Sequence, residues 1–365
     1  MRREIWRHFD FLLFGAVIIL SVFGIAMIRS AVAGTPEGPS YVNRQIIFVA
    51  LGMVVIIVTA VIDYHYWASV NRVMYAFTFI LLIVVFITSK ARFGAARWIE
   101  TGLVSIQPAE LAKVVLILVL ADFFARSQNE KHDLRWIARS FLIVAGFLVW
   151  IVLQPNLSTT IVLTVIWFGL LWVSGLKMKY LTIFTLVVVF GSIVAFPLLA
   201  PYQQQRILGF ILPEQNATYG NAYNVQQALI SIGSGGFLGQ GYGHGSQVQL
   251  RFLKVRHTDF IFSAMAEEFG FVGTVIVVAL LIFVIIRIFR AGRLAHDAYG
   301  ALIAYSFAIL MAFQAAVNIG VNLNLLPVTG LTLPFVSYGG SSLLSMILGV
   351  GLVESIVLRQ KPLEF

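Results

Sequence analysis

Ten stretches of this chain are long and apolar enough to compete for a lipid bilayer, and nothing else in the sequence restricts its folding as much. They run roughly over 11–33, 46–62, 73–88, 111–124, 140–153, 159–173, 181–200, 260–286, 299–320 and 341–358. A transmembrane helix needs about 20 such residues, and two of the ten are short. The pair around Gln154-Pro155-Asn156 reads either as two spans or as one bent hairpin, because proline removes a helix hydrogen bond. With 59% hydrophobic and 11% charged residues and a mean hydropathy of +0.92, the composition is that of a polytopic membrane protein. The expected fold is therefore an all-α polytopic membrane protein of about ten transmembrane helices. It forms one integral-membrane domain over 1–365, with a large extracytoplasmic loop, 201–257, between helices 7 and 8.

Orientation follows from lysine and arginine. With ten spans and an inside N-terminus, 15 of the 25 basic residues fall on inside loops, Lys113 lies in a span, and nine fall outside. The outward group includes Lys90, Arg92, Arg97, Arg206, Arg251, Lys254 and Arg256, which run against the topology rule. Either an anionic ligand or lipid headgroups at the outer face account for them. The net charge of +9 is dispersed over both faces and forms no continuous strip, so nucleic acid is not an expected partner. Without cysteine there is no disulfide, thiolate chemistry or cysteine metal site. Ala31-Val32-Ala33 resembles a signal-peptidase site, but the preceding apolar stretch is too long, so an uncleaved first span is expected.

The longest polar segment, Pro201–Arg256, lacks apolar periodicity, and a loop of that length is usually functional or disordered. Tyr202, Phe210, Tyr219, Tyr223, Phe237, Tyr242 and Phe252 are too many aromatics for a solvated linker. Asn224–Ile232 suits a short interfacial helix. The glycines from Gly235 to Gly245 allow sharp bends or close approach to a ligand, but they precede no nucleotide-binding helix.

Charges near the spans come next. Glu110 and Lys113, three apart at the start of the fourth span, share a helical face and can pair. They are either a self-neutralising ion pair or the polar wall of a cavity open to the outside. Pro108 suits the first turn of that helix, with Gln107 before it. Arg206 is placed to bind a diphosphate or to pair with Glu214. In the eighth span Asp259, Ala266, Gly270 and Gly273 fall in one sector of small residues fit for close packing. Glu267 and Glu268 lie off that sector and are expected to bond to neighbouring helices. His244 and His257 have no ligand-like spacing with carboxylates, so no metal site is expected.

His257-Thr258-Asp259-Phe260 places a carboxylate where the polar loop meets an apolar run. An acid there is either functional or a helix cap that satisfies free backbone N–H groups.

Six motifs now carry a resemblance. They are Phe93-Gly94-Ala95-Ala96-Arg97-Trp98-Ile99, Gln107-Pro108-Ala109-Glu110-Leu111-Ala112-Lys113, Gln154-Pro155-Asn156-Leu157-Ser158-Thr159 and Ile232-Gly233-Ser234-Gly235-Gly236. Arg256-His257-Thr258-Asp259-Phe260 with Ala266-Glu267-Glu268-Phe269-Gly270, and Leu333-Pro334-Phe335-Val336-Ser337-Tyr338-Gly339-Gly340-Ser341, complete the set. In this order and over nearly the whole chain, the sequence resembles the SEDS family, the RodA, FtsW and SpoVE group. Its short tails suggest the RodA branch. Three positions depart from the family pattern. Asn156 stands where the family usually has Asp, so a role needing a charged acid there does not carry over. Leu253-Lys254-Val255 replaces Leu-Pro-Glu, and Gln227 replaces a small Ser.

The resemblance implies a peptidoglycan glycosyltransferase that polymerises lipid II during cell-wall elongation, outside the bacterial cytoplasmic membrane and with both termini cytoplasmic. It implies Asp259 as the general base, with Glu110, Lys113, Arg206, Arg97, His257, Gln107 and Ser337 binding substrate. One base and one displacement predict inversion at the donor sugar. Expected partners are lipid II, undecaprenyl-diphosphate-linked glycan, membrane lipids and a class B penicillin-binding protein as transpeptidase. No cofactor is called for by the residues, and a divalent cation, Mg2+ or Mn2+, stays open. The alternatives are a lipid II flippase with the Glu110/Lys113 pair along its path, or a non-catalytic scaffold of the elongation or division machinery.

Overall fold

The computed structural model of the chain describes residues 8–88, 98–100, 105–199, 201–212 and 220–360. Each of the ten apolar runs becomes a helix. In chain order these are α1 (Phe11–Ala31), α2 (Gly38–Val61), α3 (Tyr64–Thr88), α4 (Pro108–Arg126), α5 (Leu134–Leu153), α6 (Leu157–Val173) and α7 (Met178–Ala195). Three helices of the polar segment follow, α8 (Pro201–Ile211), α9 (Gly220–Gly235) and α10 (Ser246–Gln249). The last long helices are α11 (Ile261–Arg293), α12 (Ala298–Asn322) and α13 (Gly340–Val357). Seven of them, α1, α2, α3, α5, α11, α12 and α13, are long and apolar enough to cross a membrane by length and composition. A short antiparallel pair, β1 (Ile99–Glu100) with β2 (Ser105–Ile106), precedes α4.

Helix starts follow local chemistry. Asp10, Asp133, Asn156 and Asp297 each accept a hydrogen bond from a backbone N–H in the first turn of α1, α5, α6 and α12 respectively. Gln154-Pro155-Asn156 thus separates two helices. Small residues allow the closest packing, that of α13 along α2. A Cβ on Gly351 would fall 1.8 Å from Thr59 Oγ1.

The turns sort onto two faces, as alternating spans require. On one face Arg359 pairs with Asp63 at 3.2 Å, His65 with Asp297 at 3.2 Å and Arg287 with Asp10 at 2.8 Å. The opposite face holds the connections α1–α2, α3–α4, α5–α6, α7–α11 and α12–α13.

The described residues of the 201–257 segment form α8, α9 and α10, in keeping with its aromatic content, and Asn224–Ile232 lies inside the longer α9. Gly235, Gly239 and Gly245 pack against α11. Gly270 takes φ +65°, ψ −164° and interrupts α11, which corrects the continuous small-residue sector expected from Asp259 to Gly273. An interrupted helix in an apolar segment exposes backbone groups that must find partners. The chain after α9 supplies them. Phe271 N donates to Gly236 O (2.9 Å) and Val272 N to Phe237 O (3.2 Å). Gln240 N donates to Glu267 O and Gly241 N to Glu268 O, both at 2.9 Å. Glu267 accepts from Gln247 N (2.7 Å) and Val248 N (3.2 Å), so its carboxylate caps α10. Glu268 accepts from Ser30 Oγ. Both acids bond to neighbouring elements, as expected.

Candidate functional site

Asp259 sits in the turn before α11, and Phe260 rather than Asp259 is the cap residue of that helix. The capping role weighed for this acid therefore falls away. Asn322 does that work from a neighbouring helix: its Oδ1 accepts from Ser263 N (3.1 Å) and Ser263 Oγ (2.6 Å).

The backbone that carries Asp259 is fastened at three consecutive carbonyls. His257 O accepts from Tyr338 N at 2.9 Å, and Thr258 O from Ser337 Oγ at 2.8 Å. Asp259 O accepts from Asn318 Nδ2 at 3.1 Å and Asn322 Nδ2 at 2.9 Å. Four hydrogen bonds of this kind leave the carboxylate little freedom to move except at its own side-chain torsions.

That carboxylate opens into a cavity of about 610 Å³. Its wall is drawn from all five connections of one face: Arg44 from the start of α2, Gln107 and Glu110 from α4, Asn156 from α6, Arg206 from α8, and the 329–342 stretch before α13. Protein encloses Asp259 on every side but the cavity, and this burial pushes its carboxyl up from the usual 3.8 to about 6, although Arg206 pulls the other way. A carboxyl poised there is ionised at neutral pH yet basic enough to accept a proton.

Arg206 Nη1 donates to Thr329 O at 3.3 Å, which holds the guanidinium over the cavity. Arg44 lies beside Tyr338 on the cavity wall, where its positive charge acts on the Tyr338 hydroxyl. Glu110 lines the cavity, paired with Lys113 Nζ at 2.6 Å and accepting from Ser345 Oγ at 2.9 Å. Lys113 is 1% exposed and lies behind Glu110. Gln107 lines the wall, and its backbone N donates to Ser341 Oγ at 3.1 Å.

Three of the substrate-binding expectations change. Ser337 is buried and spends its hydroxyl on Leu333 N (2.9 Å) and Thr258 O, so it holds the Asp259 turn and does not line the cavity. The His257 ring packs between Tyr41 and Tyr338, 5.1 and 5.8 Å away, and burial with the nearby Arg256 holds its pKa below the ordinary value. Lys113 reaches the cavity through its partner alone. Arg97 and Glu214 lie outside the described residues. Sequence reasoning missed Arg44, Gln314, Asn318 and Asn322. The last three stand four apart on α12, a polar stripe in an apolar segment.

Among the described residues no three His, Asp or Glu side chains cluster as a metal cage.

The family model described as cell cycle protein, covering FtsW, RodA and SpoVE, matches residues 3–361. The peptidoglycan glycosyltransferase MrdB of Escherichia coli (strain K12) is 35% identical over 364 residues, 98% of this chain and 95% of that protein. The probable peptidoglycan glycosyltransferase FtsW of Coxiella burnetii is 35% identical over 322 residues, 87% of this chain and 86% of that protein. Among solved structures, a chain of a peptidoglycan synthase complex that coordinates polymerization and crosslinking superposes with a TM-score of 0.82. It is 28% identical and covers 97% of this chain and 99% of its own. The rod shape determining protein RodA of Thermus thermophilus superposes with a TM-score of 0.72 at 28% identity, covering 97% and 98%.

Proposed function

The chain belongs to the FtsW/RodA/SpoVE family and is a multi-pass membrane peptidoglycan glycosyltransferase, and we propose that Asp259 is its general base. The observation that carries this reading is a clamped carboxylate, raised to about 6, facing a cavity that also holds Arg206.

In the proposed step, an Asp259 oxygen takes the proton of the 4-hydroxyl of a GlcNAc on incoming lipid II. The freed oxygen attacks the anomeric carbon of the donor sugar, and the bond to undecaprenyl diphosphate breaks, that group leaving with the electron pair. Attack opposite the leaving group converts an α-linked donor into a β-linked product. Arg206 and Arg44, on two walls of the cavity, supply the positive charge that stabilises the departing diphosphate. Glu110, held by Lys113 and Ser345, orients polar groups of the substrate. A divalent cation carried on the diphosphate would find carboxylate oxygens at Glu110 or Asp259 and would add positive charge at the leaving group, since such ions take oxygen ligands and share them with phosphates.

The basic bias of the face that holds Asp63, Arg287 and Arg359 supports a cytoplasmic assignment for that side and for both termini, which leaves Asp259 outside. The synthase complex it resembles supports a class B penicillin-binding protein as partner. At 35% identity to both MrdB and FtsW the chain stands equally near either branch.

Polymerisation of labelled lipid II by the purified chain, with and without that partner, tests the reading. Glycan strands support it; lipid movement across vesicles without polymer would transfer the chain to the flippase class.

A further inference from the structure

We infer that Gln314 and Asn156 form a pocket for the 2-acetamido group of an amino sugar held beside Asp259. The inference rests on the glycosyltransferase reading and divides its substrate into parts.

Gln314 lines the cavity at 1% exposure, and its Oε1 has no hydrogen-bond partner among the described residues. Asn156 lines the same cavity at 4% exposure, and its Nδ2 is equally unpartnered. Asn156 Oδ1 already accepts from Thr159 N at 3.3 Å as the cap of α6, so the cap itself fixes which end of this amide is free. Buried amides almost always find partners, and leaving one unmade is costly. Two in one cavity, on helices α6 and α12 that pack against each other, point to a ligand that completes both.

The chemistry of the free groups selects the ligand. One is a donor and the other an acceptor. A phosphate or carboxylate oxygen would satisfy Asn156 but face Gln314 Oε1 with like charge. A secondary amide offers a carbonyl at one end and an N–H at the other, and so matches both. Both sugars of the peptidoglycan disaccharide carry such an amide at C2. The charged groups Arg206, Glu110 and Asp259 remain for the diphosphate and the proton. Gln314 is also one turn from Asn318, whose side chain holds the Asp259 carbonyl. A sugar gripped by its acetamido group is thereby registered against the base.

The test uses the purified full chain with lipid II and two analogues, one with a free amine in place of the acetamido group on GlcNAc, the other on MurNAc. The wild-type protein should use one analogue roughly 10- to 100-fold less well in kcat/KM, and that analogue names the sugar in the pocket. Gln314→Met keeps the volume and removes the acceptor. It should lose a similar factor with lipid II but little with that analogue, so the preference collapses to about twofold. Asn156→Ser keeps a capping oxygen for α6 and removes Nδ2, and should collapse the preference in the same way if Gln314→Met does not fold. Wild-type indifference to both analogues, or an unchanged preference in the folded variants, overturns the pocket while polymerisation stands. Failure of the wild-type chain to polymerise lipid II would instead overturn the glycosyltransferase reading.

Discussion

Replacing Asp259 by Asn should abolish polymerisation and stabilise the protein, two opposite effects of the same carboxylate. Burial raises the carboxyl from 3.8 to about 6, so the folded chain tolerates the ionised form less well than the unfolded chain does. Stability from this group is therefore fully present below pH 3.8 and is lost as pH rises through about 6. At about 1.4 kcal/mol per pH unit, the interval sets a cost near 3 kcal/mol at neutral pH. Water in the cavity screens part of it and brings the expected gain to about 1–2 kcal/mol. Asn keeps the shape and the clamped backbone and removes the charge. Thermal unfolding in detergent between pH 5 and 8 reads the effect: the wild-type midpoint falls as pH passes about 6, and the variant lacks that step. In parallel, strand synthesis should drop by about 10²–10⁴-fold, the usual cost of losing a general base. A variant that unfolds earlier than the wild type at neutral pH would refute the burial argument. Near-normal polymer would remove Asp259 as the base.

Arg206→Gln removes the cation that opposes burial at Asp259, so the acidic limb of the pH–rate profile should move to higher pH, and an unmoved limb would separate the two residues. Arg206→Lys should recover the limb but not the full rate, because a compact ammonium lacks the planar fork that binds phosphate oxygens in pairs. Glu110→Ala and Lys113→Ala should each cost about 3–5 kcal/mol by stranding a buried charge. The exchanged pair, Glu110→Lys with Lys113→Glu, should regain the thermal midpoint but not polymerisation, because it turns a cation to the cavity; full activity would make the pair purely structural. Gly239→Ala should lower the midpoint by the equivalent of about 2–4 kcal/mol, since its Cβ would meet Glu268 O at 2.2 Å with φ at +83°. An unchanged midpoint would contradict the packing of this stretch on the α11 break.

Hydropathy carried the number and order of the long helices because burial in a bilayer leaves so little choice. Alternation of those spans then put Arg44, Gln107, Asn156, Arg206 and Asp259 on one side, and the cavity gathers all of them. The interruption of α11 was not legible in the same way. The run 260–286 reads as one long apolar segment interrupted only by Glu267-Glu268, which suggest contacts to neighbouring helices, and nothing in its period marks Gly270 as a break. What makes the break tolerable is backbone from residues 236–241, some thirty positions upstream, whose glycines read equally well as a flexible or ligand-binding loop.

The site was legible where charge was involved and opaque where it was not. Asp259, Arg206 and Glu110 attract notice because a charge at a membrane edge is costly. Ser337 and His257 were drawn in by their neighbours in the motifs, yet they act on the backbone and on aromatic packing. The neutral amides were the stronger signal left unused. Gln314, Asn318 and Asn322 stand four residues apart on one face of an apolar helix, and in such a helix each amide needs a partner. Two of them find it in the carbonyl of Asp259, which is how the stripe comes to face the base. Gln314, on the same face and one turn further into the membrane, reaches past that carbonyl, and its Oε1 has no partner among the described residues. Asn318 Oδ1 is open as well among the described residues, but of the two only Gln314 lines the cavity, and that is where the substrate completes the stripe.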